Sequence, residues 1–248
     1  LISSILKKSI REKLTKSFGG KFHELIIGGS ALNEEVEKFL MDIGFKFTVG
    51  YGMTECAPLI SYAPWNKHVA RSCGCIIDTL KVKIDAENKG EVGEIMVKGE
   101  NVMLGYYKNP KATAEALSKD GWLKTGDLGV LGENNRIFIR GRSKNMILGS
   151  SGQNIYPEEI ESKLNAMPYI LESLVLSREN KLHALIYLDG EKIKEENLNE
   201  EEIKAKLENN RIEINKLLPE YARISSFNIQ LEEFIKNPTK KIKRFLYK

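Results

Sequence analysis

The chain has 248 residues, 42% of them hydrophobic and 29% charged, with 20 Gly, 7 Pro and a net charge of +4. That balance excludes disordered and collagen-like chains and, at roughly 100 to 200 residues per domain, points to two compact domains. With no run of 18 apolar residues, no basic stretch leading into an apolar one, and three cysteines (Cys56, Cys73, Cys75) without disulfide or zinc spacing, neither a membrane-spanning helix nor a secretory leader is expected, and a reducing, cytoplasmic setting is.

The chain opens at Leu1, in a stretch where Ile2, Ile5, Leu6, Ile10 and Leu14 recur at helical spacing on a mostly basic background. This reads as a helix, and the chain as a piece of a longer protein. Leu25-Ile26-Ile27-Gly28-Gly29 then predicts a strand ending in Gly, followed by a helix capped by Asn33 with Val36, Phe39, Leu40 and Ile43 on one face. Alternation at Phe45, Phe47 and Val49 predicts a second strand. A βαβ crossover implies a parallel sheet, whose ligands gather at the carboxyl ends of the strands, here residues 28–32 and 51–55.

From about residue 72 to 140 the period shortens to alternating strands at Leu80-Val82-Ile84, Ile95-Val97 and Ile137-Ile139, an antiparallel barrel-like or meander segment. One short helix interrupts it at Asn109-Pro110, a cap followed by Pro at the first helical position. After Gly141-Arg142-Ser143-Lys144 come a helix from Pro157 with Ile160 and Leu164 inward and strands over 174–176 and 182–188. A long helix with a capping box at Asn199 and Glu202, a stop at Pro219, a strand over 224–229 and a basic tail from Lys240 to Lys248 complete the chain. The fold class is therefore α/β and α+β. A parallel βαβ piece plus an antiparallel barrel-like segment over 1–144 precede a compact α+β domain over 145–248, with the boundary at Lys144.

The chain lacks the GxxxxGK[ST] and GxGxxG phosphate cradles, HExxH and GxSxG, and its three histidines (His23, His68, His183) read as packing or surface residues. The remaining chemistry lies in loops. In Tyr51-Gly52-Met53-Thr54-Glu55, Gly52 lets a backbone approach a ligand, Thr54 offers a hydroxyl and Glu55 a hard anionic oxygen, groups suited to phosphate and Mg²⁺. In Lys124-Thr125-Gly126-Asp127 a carboxylate on a Gly turn can accept both hydroxyls of a ribose diol. Singly, each is more often an ordinary polar turn, and the basic tail a solvated surface. The charge would suit a nucleotide, a coenzyme or a membrane surface, and does not choose among them.

In order, however, Gly28-Gly29-Ser30-Ala31-Leu32, Tyr51-Gly52-Met53-Thr54-Glu55, Gly93-Glu94-Ile95-Met96-Val97-Lys98-Gly99 running on to Gly105-Tyr106 and Pro110, Lys124-Thr125-Gly126-Asp127-Leu128, Gly141-Arg142, Pro157-Glu158-Glu159-Ile160-Glu161, Leu218-Pro219-Glu220-Tyr221 and Lys241-Ile242-Lys243-Arg244 closely resemble the serial core motifs of the adenylate-forming superfamily. That family comprises acyl-CoA synthetases, luciferases and peptide-synthetase adenylation domains. The segment from Gly28 to Glu55 looks most like long-chain fatty acid CoA ligases. Two departures stand out: the family's Gly before the final lysine is Lys240 here, and its Ser/Thr/Gly-rich phosphate loop, with most of the large amino-terminal domain, would lie upstream of Leu1.

The resemblance implies the end of a large AMP-binding domain followed by a small mobile domain. It implies a carboxylic acid, here a fatty acid, activated by ATP and Mg²⁺ as an acyl-adenylate and passed to coenzyme A. Gly28, Gly29 and Ser30 would line the adenine with Tyr51 stacking on it; Gly52 would lie in the same nucleotide loop; Thr54 would hold phosphate and Glu55 the Mg²⁺. Asp127 would take the ribose hydroxyls, Arg142 the ribose or phosphate, Lys144 would be the hinge, and Lys241 would reach the α-phosphate and carboxylate oxygens. The missing amino-terminal segment becomes a partner, nucleic acid does not, and peripheral contact with a membrane stays open. Without the upstream loop the chain alone is expected to be inactive as a ligase. A relative acting on another acid or on an acyl carrier protein, or a catalytically silent AMP-binding module, would share these motifs.

Overall fold

A computed structural model describes residues 2–149 and 152–247. Leu1 and Lys248, the ends of the expected opening helix and basic tail, lie outside the described residues. The chain divides into two compact units, Leu1–Ser143 and Lys144–Lys248.

Unit 1 begins with α1 (Ile2–Ser17), β1 (Leu25–Ile27), α2 (Glu34–Asp42) and β2 (Phe47–Val49). β1 and β2 pair in parallel with Ile27 opposite Val49, the crossover that the sequence predicts. The Asn33 side chain accepts from the amides of Glu35 and Val36, satisfying two of the donors that a helix start leaves open. The buried face of α2 differs from the expected one. Leu40 and Ile43 are buried, but Val36 and Phe39 are each 45% exposed and Glu37 is only 3% exposed. Glu37 is drawn inward because His68 Nε2 lies 2.8 Å from its Oε1 and the Arg71 amide donates to both of its oxygens at 3.0 Å, so the buried carboxylate is fully engaged. Likewise, among the described residues of α1, Ile10 and Leu14 pack on this core, while Ile5 and Leu6 are exposed.

β3 (Tyr51–Gly52), β4 (Leu59–Tyr62) and β5 (Cys75–Ile76) form a small antiparallel sheet. β6 (Leu80–Asp85), β7 (Gly93–Gly99), β8 (Leu123–Leu131) and β9 (Ile137–Arg142) follow as a four-stranded meander, with α3 (Pro110–Ala116) between β7 and β8. The antiparallel segment is thus an open meander; among the described residues β6 and β9 do not pair to close a barrel. Its alternation buries Ile95, Val97, Leu123 and Ile137 with Tyr51, Cys56 and Ile60 in one cluster. The three cysteines are free, and burial pushes the Cys56 and Cys73 thiols up to about 11, consistent with small apolar packing roles.

Unit 2 starts with a short hairpin, β10 (Ile147–Leu148) and β11 (Asn154–Ile155), and α4 (Pro157–Leu164). β12 (Ile170–Arg178) and β13 (Lys181–Leu188) pair through a tight turn at Glu179 and Asn180, both at positive φ, as a two-residue hairpin of right-handed twist requires. α5 (Gly190–Glu195) and α6 (Glu200–Leu217) cross over to β14 (Ile224–Gln230), which joins β13 in parallel. α6 carries the predicted capping box at Asn199 and Glu202. One core cluster joins Ile160 and Leu164 of α4 and Leu207 and Ile214 of α6 to Val175, Ala184, Ile186 and Ile224. A second cluster joins Leu174 and Leu176 of the same sheet to Phe234 of the carboxy-terminal tail, with Ile242 and Tyr247 packed against it.

Candidate functional site

The loops at the carboxyl ends of β1 and β2 lie side by side. The Gly50 amide donates to Ile27 O at 2.9 Å, and a Cβ on Gly28 would stand 3.5 Å from Gly50 O. Gly29 adopts φ +92° with open space where a side chain would begin, so the exposed loop 28–30 keeps its backbone uncovered beside Tyr51.

Tyr51 connects this loop to the meander. Its hydroxyl donates to Asp127 Oδ2 at 2.7 Å, and Arg142 Nε meets Asp127 Oδ1 at 2.7 Å. Asp127 lies within β8, not on the separate Gly turn that the sequence predicts: Gly126, at φ +73°, kinks the strand where its register with β7 shifts. The Asp127 amide donates to Thr125 Oγ1 at 3.1 Å, Thr125 donates to Ile95 O at 2.7 Å, and the Gly126 amide donates to Glu94 Oε1 at 2.9 Å, so this part of the strand is held on three sides. Burial, and then the nearby Asp127 carboxylate, pushes the Tyr51 hydroxyl far above its ordinary value, so it stays protonated and donates. The Arg142 side chain is half exposed, whereas the carboxylate that it meets is nearly buried.

Beyond Gly52 the chain turns through Thr54–Cys56, a single turn of 3₁₀ helix. Here the backbone that Gly52 admits is the protein's own: a Cβ would stand 2.1 Å from Pro58 O. The Glu55 carbonyl accepts from the Met103 amide at 2.8 Å, and Glu55 Oε1 accepts from the Tyr106 hydroxyl at 2.9 Å. Thr54 is exposed. One hydroxyl beside one carboxylate fits a Mg²⁺ that keeps waters and phosphate oxygens as most of its ligands; among the described residues no group of three His, Cys, Asp or Glu side chains forms an all-protein metal cage. Tyr106 and Glu94 carry no signal of their own in the sequence beyond membership of a motif, and the structure gives each a partner in this site.

The structure joins Tyr51, Asp127 and Arg142 directly and sets Gly28 against Gly50; Gly29, Ser30, Gly52, Thr54 and Glu55 lie in the same unit 1 on the loops that flank these residues in the chain. Lys144 and Lys241 belong to unit 2. Lys144 is exposed in a single 3₁₀ turn, Ser143–Asn145, and the next residue is tied to α4 by Asn145 Nδ2 donating to Glu158 Oε1 at 2.6 Å. Lys241 is exposed on a tight loop closed by Asn237, whose Oδ1 accepts from the Lys241 amide at 2.9 Å and whose amide donates to Lys241 O at 2.9 Å. Lys240, standing where the resembled family has Gly, has φ +63°, the left-handed region glycine favours. A lysine in that conformation accepts a backbone cost of order 1 kcal/mol.

Comparison with known proteins bears on the family and the fold. Residues 1–107 match the family model for AMP-binding enzymes. The chain is 38% identical over 162 residues to a long-chain-fatty-acid–CoA ligase of Yersinia pestis, covering 62% of this chain and 28% of that protein. It is 39% identical over 162 residues to a probable 4-coumarate–CoA ligase of Dictyostelium discoideum, covering 61% of this chain and 29% of that one. The matched stretch thus spans a little over a quarter of these relatives. The structure of o-succinylbenzoate coenzyme A synthetase from Bacillus subtilis in complex with ATP and magnesium superposes with a TM-score of 0.73 at 26% identity, over 94% of this chain and 49% of that one.

Proposed function

We propose, for a chain that belongs to the adenylate-forming superfamily, that it is the carboxy-terminal portion of an AMP-forming acid–CoA ligase whose acid is a fatty acid. The carrying observation is the Tyr51–Asp127–Arg142 network beside the uncovered loop 28–30 and the Thr54–Glu55 turn, a set of groups matched to an adenosine nucleotide. The superfamily reaction has two steps. A carboxylate oxygen bonds to the α-phosphorus of ATP as the bond to pyrophosphate breaks; the coenzyme A sulfur then bonds to the acyl carbon, loses its proton, and AMP leaves.

Within this chain, loop 28–30 receives the adenine against Tyr51, and Asp127, oriented by Tyr51 and Arg142, accepts from the ribose diol. Arg142 places positive charge over the ribose and phosphates, and Thr54 holds a phosphate oxygen. Glu55 would hold Mg²⁺, which supplies charge neutralisation on the phosphates. Lys144 is the swivel between the two half-reactions. Lys241, on unit 2, serves adenylate formation.

The fatty acid assignment follows the Yersinia relative; the 4-coumarate–CoA ligase at nearly equal identity favours an aryl acid as the second reading. Turnover of the intact ligase with a series of straight-chain and aryl acids decides between them. Asp127→Ala is expected to weaken ATP and AMP binding by about 1.5 to 3 kcal/mol for each ribose hydrogen bond lost. Because Asp127 also satisfies the Tyr51 hydroxyl, Tyr51→Phe is measured beside it by calorimetry. Unchanged nucleotide affinity in Asp127→Ala, or an equal loss in Tyr51→Phe, would reject the ribose assignment.

A further inference from the structure

Arg244 lies three residues past Lys241 and has left the surface. Its Nη1 donates to both oxygens of Glu161 at 2.8 Å, and its Nη2 donates to Val175 O at 2.9 Å. The Val175 amide donates to Glu161 Oε1 at 2.6 Å, closing a ring of charge-assisted bonds between α4, β12 and the tail. Glu161 is 9% exposed, and its burial works against the pull of Arg244 on the carboxylate. A buried ion pair of this kind gives no stability that an apolar pair of the same volume could not, whereas a planar guanidinium whose Nη1 takes the carboxylate and whose Nη2 takes the Val175 carbonyl forks between two acceptors and fixes direction and register. The other side of the same loop is fixed as well: Lys236 bridges to Ile242, the Lys243 amide donates to Ile235 O at 2.8 Å, and Lys236 Nζ meets Glu172 at 2.8 Å. Loop 237–241 therefore projects from a base pinned on both sides.

We infer that Glu161 and Arg244 form a clamp that sets this loop, and that both are positioning residues for Lys241; the catalytic purpose rests on the reading of Lys241 given above, while the placement of the loop does not. A point charge on a flexible four-carbon stem is delivered only as accurately as its backbone is held, and a displacement of about 1 Å can cost on the order of 100-fold in rate. Glu161→Gln keeps the shape but removes the charge, and Arg244→Lys keeps the charge but removes the fork.

The test reads loop order and chemistry separately. Hydrogen exchange of amides 237–243 is followed in the chain itself, and ATP–pyrophosphate exchange in the intact ligase, each for Glu161→Gln, Arg244→Lys, Lys241→Ala and the Glu161→Gln/Lys241→Ala double variant. Each clamp variant should speed loop exchange at least ~10-fold and lower kcat for adenylation at least ~10-fold with KM for ATP little changed. In the Lys241→Ala background the same Glu161→Gln change should cost less than about 2-fold, because its effect passes through the lysine. Unchanged loop exchange in both clamp variants overturns the inference whatever the activity. An equal loss with and without Lys241 overturns it too, since the pair would then act through the fold at large. If the loop loosens but Lys241→Ala leaves adenylation intact, the reading of Lys241 fails and takes the catalytic purpose of the clamp with it.

Discussion

Lys241→Ala in the intact ligase should slow adenylate formation by roughly two orders of magnitude, about 3 kcal/mol of transition-state stabilisation, while thioester formation from supplied acyl-adenylate falls far less. The ammonium offsets negative charge on the attacking carboxylate and on the phosphorus centre, which matters most where water is excluded. Its neighbours supply the controls. Lys240 serves the loop through its left-handed backbone, and Lys243 ties its own amide to Ile235 O, so alanine at either should leave adenylation near the parent value. Loss of both half-reactions in all three variants, or of adenylation in none, would return the tail to the status of a solvated surface.

Gly52→Ala should destabilise unit 1 by about 3 kcal/mol or more without any nucleotide present. The added Cβ would stand 2.1 Å from Pro58 O, 2.9 Å from Pro58 C and 3.1 Å from Leu59 Cα, all backbone atoms that no rotamer change can move away. The same Pro58 carbonyl accepts from the Met53 amide at 2.8 Å, so opening the β3–β4 pair breaks that bond and displaces Thr54 and Glu55. Denaturant unfolding of the free protein reads the effect. Gly29→Ala gives the contrast: its Cβ meets nothing, and the cost is the left-handed φ alone, of order 1 kcal/mol. A Gly52→Ala protein that unfolds like the parent but loses nucleotide affinity would mean that the space at residue 52 serves a ligand after all.

These residues show how far the sequence could be read. Features encoded within a few positions were legible: the Asn33 and Asn109 caps, the capping box at Asn199 and Glu202, the alternation of β6, β7 and β9, and the turn that holds Thr54; the stretch 124–127, which reads as a Gly turn, runs inside β8 instead. What was not legible depends on distant partners. Glu37 looks like one more charge on a solvated helix until His68, 31 residues on, turns it inward and leaves Val36 and Phe39 exposed. The Tyr51–Asp127 bond spans 76 positions, and nothing near either residue marks it. Glu161 and Arg244 each stood inside a quoted motif, yet their pairing has no local signature.

The clamp also carries a kinetic consequence. Joining Arg244 to Glu161 closes a span of 83 residues, an ordering cost on the order of 4 kcal/mol for a flexible chain, whereas the β12–β13 hairpin closes through a two-residue turn. Contacts of such long span form late, so the pair should contribute little to the folding transition state of unit 2 and much to the barrier against leaving the native state. Glu161→Gln should then steepen nothing in the refolding limb of a chevron but raise the unfolding rate; a slowed refolding rate would place the pair in the nucleus instead. Trp65 and Trp122 both lie in unit 1, so the observation requires a signal from Tyr247 or from the sheet itself. The residue pair that aims the lysine is, by this reasoning, also the latch that determines how long unit 2 stays shut.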